Sequence, residues 1–138
     1  VSNEAQISQI LGVDYGKADV GLALANLETR MSFGYGKIKN DKQLIQKIGE
    51  IIAKENVTTV VIGFPPHMNQ KNGEYDGEKL GKQIQEAVPE VQIKYQDEMF
   101  TTKMAQDNLI EGGKKNIKDL DDEESARIIL QEWLDRTA

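Results

Sequence analysis

Three short apolar runs crowd the first part of the chain with gaps too short to hold a helix, whereas beyond residue 40 stretches of helical period alternate with short β-branched runs. Ile7 to Asp14 ends in the first of these runs, Tyr15-Gly16 supplies a turn signal, and Val20 to Ala25 is the second. Met31 to Ile38 alternates, with Met31, Phe33, Tyr35 and Lys37 on one face, while Gly34 and Gly36 weaken it toward an edge strand. From Asn40 the spacing becomes helical: Leu44, Ile45, Ile48, Ile51 and Ile52 form one stripe, and Asn40 and Gln43 are spaced as a capping box. Thr58 to Ile62 is β-branched and stops at Gly63-Phe64-Pro65-Pro66, which reads as a buried parallel strand opening into a loop that runs to about Tyr75. A more polar helix from Tyr75 to Ala87 is stopped by Pro89, and Val91 to Tyr95 alternates as a strand ending at Asp97-Glu98. A helix from about Thr101 to Glu111 is broken by Gly112-Gly113. A polar connector, Lys114 to Asp121, then leads to a last amphipathic helix marked by Ala126, Ile129, Leu130, Trp133 and Leu134.

Sequential strands with short connections favour an antiparallel meander, and strands separated by helices require parallel right-handed crossovers. The order therefore predicts an α/β fold with a mixed five-stranded sheet flanked by helices, the ribonuclease H-like pattern. At 138 residues, 38% hydrophobic and 29% charged, the chain has the size and composition of a single globular domain spanning 1–138. With no cysteine, neither a disulfide nor a thiolate metal site is available. The polar start, Val1 to Gln9, lacks a signal-peptide pattern and no apolar run approaches a membrane span, so a cytoplasmic protein is expected. The net charge of −6 opposes binding of a polyanion, unless a metal neutralises clustered carboxylates or a local basic patch dominates the contact surface.

Three carboxylates stand at places where strand ends and a helix start can converge: Asp14 closes an apolar strand, Glu98 follows another, and Asp122 opens the last helix. Oxygen-only donors suit Mg²⁺ or Mn²⁺, whereas zinc normally draws on His or Cys, of which the chain has one and none. Asp122 falls on the stripe of Ala126, Ile129, Leu130 and Trp133 and should face the sheet. Asp121 is better placed as the N-cap, with Glu124 completing a capping box. Taken singly, each of these acids is more simply explained as a solvated cap of a strand or helix, and only the pattern points to a site.

Gly12-Val13-Asp14-Tyr15-Gly16 with Val20-Gly21-Leu22-Ala23, Val61-Ile62-Gly63-Phe64-Pro65 with Met68-Asn69 and Gly73, Asp97-Glu98 with Thr101-Thr102, and Asp122 with Ser125-Ala126 together resemble the YqgF/RuvX family, in order and over nearly the whole chain. The resemblance implies a cytoplasmic ribonuclease H-like nuclease that matures pre-16S ribosomal RNA or resolves Holliday junctions. It also implies that Asp14, Glu98 and Asp122 are the acidic triad, catalytic and metal-binding together, at a two-metal Mg²⁺ or Mn²⁺ site. Two positions depart from the family: Asp19 stands where a basic residue is usual, and Met99 stands where Arg follows the Asp-Glu pair. Both remove positive charge beside a site that must hold phosphate, since Met and Asp cannot make the bidentate contact of Arg.

Lys17, with Lys114, Lys115 and Lys118 in the connector before Asp122, are candidate contacts to a nucleic-acid backbone, although a solvated connector accounts equally well for the last three. Thr101 and Thr102 offer hydroxyls to phosphate, or cap a helix. His67, alone in its loop, reads more simply as solvent-facing than as a proton shuttle. The expected partner is nucleic acid, RNA ahead of branched DNA, in ribosomal precursor particles, for a monomer or homodimer. The competing reading is a non-catalytic nucleic-acid or ribosome-binding module that has lost activity. An ATPase of the sugar-kinase type would need two such domains about a cleft, and the chain has room for one.

Overall fold

A computed structural model describes residues 7–64, 76–97 and 121–137. Strands β1 (Gln9–Asp14), β2 (Asp19–Asn26) and β3 (Ser32–Lys39) are followed by helix α1 (Leu44–Lys54), strand β4 (Val57–Phe64), helix α2 (Asp76–Ala87), strand β5 (Gln92–Asp97) and helix α3 (Asp122–Arg136). They form a five-stranded sheet in the order β3-β2-β1-β4-β5. The hairpin-linked strands pair antiparallel, and the helix-linked strands pair parallel beside β1. The expected mixed sheet is thus observed, with β3 at an edge; the helix expected from Thr101 to Glu111 lies outside the described residues.

Alternation along the strands separates two cores. Leu11, Val13, Val20, Leu22, Val60 and Ile62 point to one face, where Leu44, Ile48 and Ile52 of α1 and Leu80 and Ile84 of α2 cover them. Ile10, Ala23, Ala25 and Val61 point to the other, under Ala126, Ile129, Leu130 and Leu134 of α3. The small residues of β2 let α3 approach the sheet closely, and Gly12 of β1 lies directly beneath Leu130 and Ala126. Trp133 packs on this second core only partly buried, while Ile128, which the predicted stripe omits, is buried.

Two local readings require correction. Asn40 does not cap α1: its side chain donates from Nδ2 to the Gly16 carbonyl (2.7 Å) and its N–H to the Ala18 carbonyl (3.0 Å), which fastens the β1–β2 loop. The residue before α1 is Gln43, without a side-chain cap, and the Asp41 carboxylate accepts from Gln43 N–H at 2.9 Å. The single-face alternation of β3 also fails, because the register skips from Gly36 to Gly34 and leaves Tyr35 as the extra residue of a bulge. Gly36 takes φ +103 there, a conformation that L side chains rarely adopt. Tyr35 turns onto the α1 side and its hydroxyl donates to Glu55 at 2.7 Å. That bond to a carboxylate, with burial and the carboxylate's charge adding to it, holds the phenol above its ordinary value of 10.0. Among the described residues no helix is long and apolar enough to cross a membrane.

Candidate metal and nucleic-acid site

Strands β1, β4 and β5 run parallel, so their carboxyl ends share one edge of the sheet. Asp14 is the last residue of β1, the central strand. It lies opposite Gly21 of β2 and level with Gly63 of β4, which in turn is level with Gln96 of β5. In-register neighbours share a face, so Gly21, Asp14, Gly63 and Gln96 form one row on the α3 side. Asp14 therefore has a glycine as its in-register neighbour on either hand.

The N-terminus of α3 fills the space above Gly21. A Cβ added to Gly21 would run into the backbone carbonyl of Asp122 and sit 3.0 Å from its Cβ. The absence of a side chain in β2 is thus what brings Asp122 down beside the carboxyl end of β1, next to the residue paired with Asp14. Asp121 fixes the start of the helix: it is extended (φ −82, ψ 170) and its carboxylate accepts from Glu124 N–H at 2.8 Å. The reciprocal half of the expected capping box is replaced, because the Glu124 carboxylate pairs with Arg127 at 2.6 Å. That bond raises the Arg127 pKa above its ordinary value, against the opposing effect of burial. Asp122, Glu123 and Glu124 all stand in the first turn, where the helix dipole favours negative charge.

The structure thus brings Asp14 and Asp122 to the same end and the same face of the sheet, both half-buried. Lys17 is exposed on the β1–β2 loop, three residues past Asp14, and Asp19 begins β2 opposite Lys39, on the α3 side with Gly21. Glu98, the residue after β5, lies outside the described residues, as do His67, Met99, Thr101, Thr102, Lys114, Lys115 and Lys118. Among the described residues no group of three or more His, Cys, Asp or Glu is placed to hold a metal ion. Asp14 and Asp122 alone offer two carboxylates, whose oxygen donors fit a hard divalent cation.

One polar feature of this edge has no counterpart in the sequence reading. Gln96 is fully buried, its Oε1 accepts from Arg136 of α3 at 2.7 Å, and its Nε2 has no hydrogen-bond partner among the described residues. A buried donor left without a partner costs about 1–3 kcal/mol. The only signals were a glutamine at a buried strand position and its place two residues before Glu98.

The five-stranded mixed sheet with helices on both faces defines a ribonuclease H-like protein. Its fold is similar to that of T. thermophilus RuvC, solved in complex with a Holliday junction substrate: the TM-score is 0.62 at 15% identity, over 94% of this chain and 95% of that one. The chain belongs to the RuvX family, whose model, described as Holliday junction resolvase, matches residues 8–136. Curated relatives agree. The chain is 33% identical over 135 residues to a protein of Bacteroides thetaiotaomicron named "Putative pre-16S rRNA nuclease", covering 94% of this chain and 97% of that protein. It is 34% identical over 136 residues to a protein of the same name from Staphylococcus saprophyticus, covering 92% and 95%.

Proposed function

We propose that this chain is a divalent-metal-dependent nuclease that hydrolyses phosphodiester bonds in the maturation of pre-16S ribosomal RNA. The observation that carries the reading is the seating of Asp122 on Gly21, beside the strand end that holds Asp14. Family membership and the names of the relatives support the reaction class.

In this reading Asp14, Glu98 and Asp122 would hold two divalent ions, Mg²⁺ or Mn²⁺, whose chemistry there would be to activate a water and to stabilise charge on the departing oxygen. Asp14 contributes from the central strand, paired on both sides, so its carboxylate needs little reorganisation. Asp122 is oriented by the Asp121 cap and the close contact with β2. Gly63, level with Asp14 on the β4 side, sets no side chain against the carboxylate from that strand position. Lys17, Thr101, Thr102, Lys114, Lys115 and Lys118 act on the nucleic-acid backbone, with Lys17 supplying the positive charge that Asp19 and Met99 do not. Water adds to phosphorus, the bond to the leaving sugar oxygen breaks, and no protein nucleophile is consumed.

The test is incubation of the pure protein with labelled precursor ribosomal RNA, single-stranded RNA and a four-way DNA junction, in Mn²⁺, Mg²⁺ or chelator. The expected result is cleavage of RNA that requires the metal. Preferential, paired cutting of the junction would reassign the protein as a resolvase acting as a homodimer. Binding without cleavage of any substrate would make it a non-catalytic binding module and Asp19 and Met99 the marks of lost activity.

A further inference from the structure

On the sheet face opposite α3, at the same carboxyl edge, a cavity of about 300 Å³ opens between the start of α1 and the side of α2. Its walls carry Tyr15, Asn40, Asp41, Lys42, Lys79 and Gln83 over an apolar floor. Tyr15 is the residue after Asp14, so the cavity mouth and the candidate metal site are separated by one step of backbone and lie on opposite sides of the sheet edge. A strand whose phosphate sits at Asp14 reaches the cavity by passing over that edge.

The chemistry of the walls selects the occupant. Lys42, in the turn before α1, and Lys79, on α2, are both exposed. Asp41 is the one carboxylate among the described residues of the wall, it accepts from Gln43 N–H, and the first turn of α1 holds no acidic residue. In a chain of net charge −6 this is a locally positive mouth, the place where a polyanion is tolerated. Tyr15 is half-buried and packs against the core, so its ring is a fixed apolar surface rather than a free side chain. Asn40 anchors the loop that carries Tyr15 through its bond to Gly16, which holds the ring in place. The exposed amide of Gln83 adds a group able both to donate to and accept from a base edge. The volume is at the small end of small-ligand pockets. An aromatic wall between cations matches one nucleotide, with its base on Tyr15 and its flanking phosphates on the lysines.

We propose that this cavity is a nucleotide subsite that takes one unpaired base of single-stranded RNA adjoining the scissile phosphate, with Tyr15 as the stacking surface and Lys42 and Lys79 as the phosphate contacts. The proposal rests on the nuclease reading above and deepens it. A base can enter the cavity only when it is out of its stack, so the subsite selects unpaired segments over duplex.

The experiment measures binding of a short labelled single-stranded RNA, and of its duplex, by anisotropy in chelator, beside metal-dependent cleavage by the same samples. For the Lys42→Ala/Lys79→Ala variant the subsite predicts at least about tenfold weaker single-strand binding and a salt slope shallower by about 1.4, the value for two lost phosphate contacts. Tyr15→Leu, which keeps an apolar side chain against the core, should bind single strand at least about fivefold more weakly, with little change for duplex. Lys54→Ala removes one lysine charge at the far end of α1 and should bind as the unaltered protein does. If the double lysine variant binds single strand normally while still cleaving, the subsite is wrong and the nuclease reading stands. Equal losses for single strand and duplex, or no loss with Tyr15→Leu, overturn the assignment to an unpaired base. If the unaltered protein neither binds nor cleaves any RNA, the subsite and the nuclease reading fall together.

Discussion

Changing Asp14 to asparagine is expected to lower metal-dependent cleavage at least about a thousandfold, which corresponds to about 4 kcal/mol of barrier. The substitution keeps the shape of the side chain and removes the charge that would hold a cation. Asp14 sits half-buried at the end of a strand whose apolar residues, Leu11 and Val13, carry the packing. Stability should therefore change by less than about 1 kcal/mol. Thermal unfolding in chelator, measured alongside cleavage in Mn²⁺, separates the two effects. An asparagine variant that folds normally and cleaves at more than about a tenth of the original rate would contradict the role given to Asp14.

The second large effect is expected at a residue with no chemistry. Gly21→Ala places a methyl group against the backbone of Asp122, and a backbone atom cannot swing aside as a side-chain tip can. Either β2 or the first turn of α3 must move. Overpacking of this kind costs typically 1–3 kcal/mol, and with backbone on the receiving side about 3 kcal/mol is expected, a fall of about 10 °C in Tm for a chain of this size. The same displacement carries Asp122 away from Asp14. Moving a catalytic group by about an ångström costs about a hundredfold in rate, so activity should fall even at temperatures where the variant is fully folded. Gly49→Ala is the control: it lies inside α1, where an added Cβ meets nothing within 4 Å among the described residues, and should leave the rate unchanged while raising stability by about 0.5–1 kcal/mol, the helical preference of Ala over Gly. Loss of stability without loss of rate in folded Gly21→Ala would mean that the position of Asp122 does not govern the chemistry.

The contrast between Gly21 and Leu44 illustrates what a sequence of this kind discloses. Periodicity is local, so the stripe of Leu44, Ile48 and Ile52 and the alternation of Leu11 and Val13 against Ile10 and Gly12 could be read directly, and with them the order of strands and helices. The Asp121 cap was legible for the same reason, because a cap and its target are three residues apart. Gly21 carries no such signal. Its reason lies in the helix that packs on it from the far end of the chain, and in the sequence it is one small residue in an apolar strand. The β3 bulge was hidden likewise: Gly34 and Gly36 announced an irregular strand, but the skipped residue depends on pairing with β2. Asn40 was misread because its hydrogen-bond partner, the Gly16 carbonyl, lies in a loop and not in the helix that follows. Gln96 and Arg136 meet only through the crossing of α3 over the sheet. For the candidate site, the residue types were legible and their convergence was not, except through resemblance to a family.

The central claim is that carboxylates from β1 and α3 act on the same phosphate through a shared divalent metal site. It is tested most directly by the rate of Mn²⁺-dependent RNA cleavage for Asp122→Asn, Asp14→Asn and the double variant, each confirmed as folded. Two ligands of one site are not independent, so each single change should remove nearly all activity and the double change should be no slower than the worse single one. An Asp122→Asn protein that cleaves at close to the original rate while Asp14→Asn is inactive would contradict the claim, because the helix start that Gly21 admits would then take no part in the chemistry.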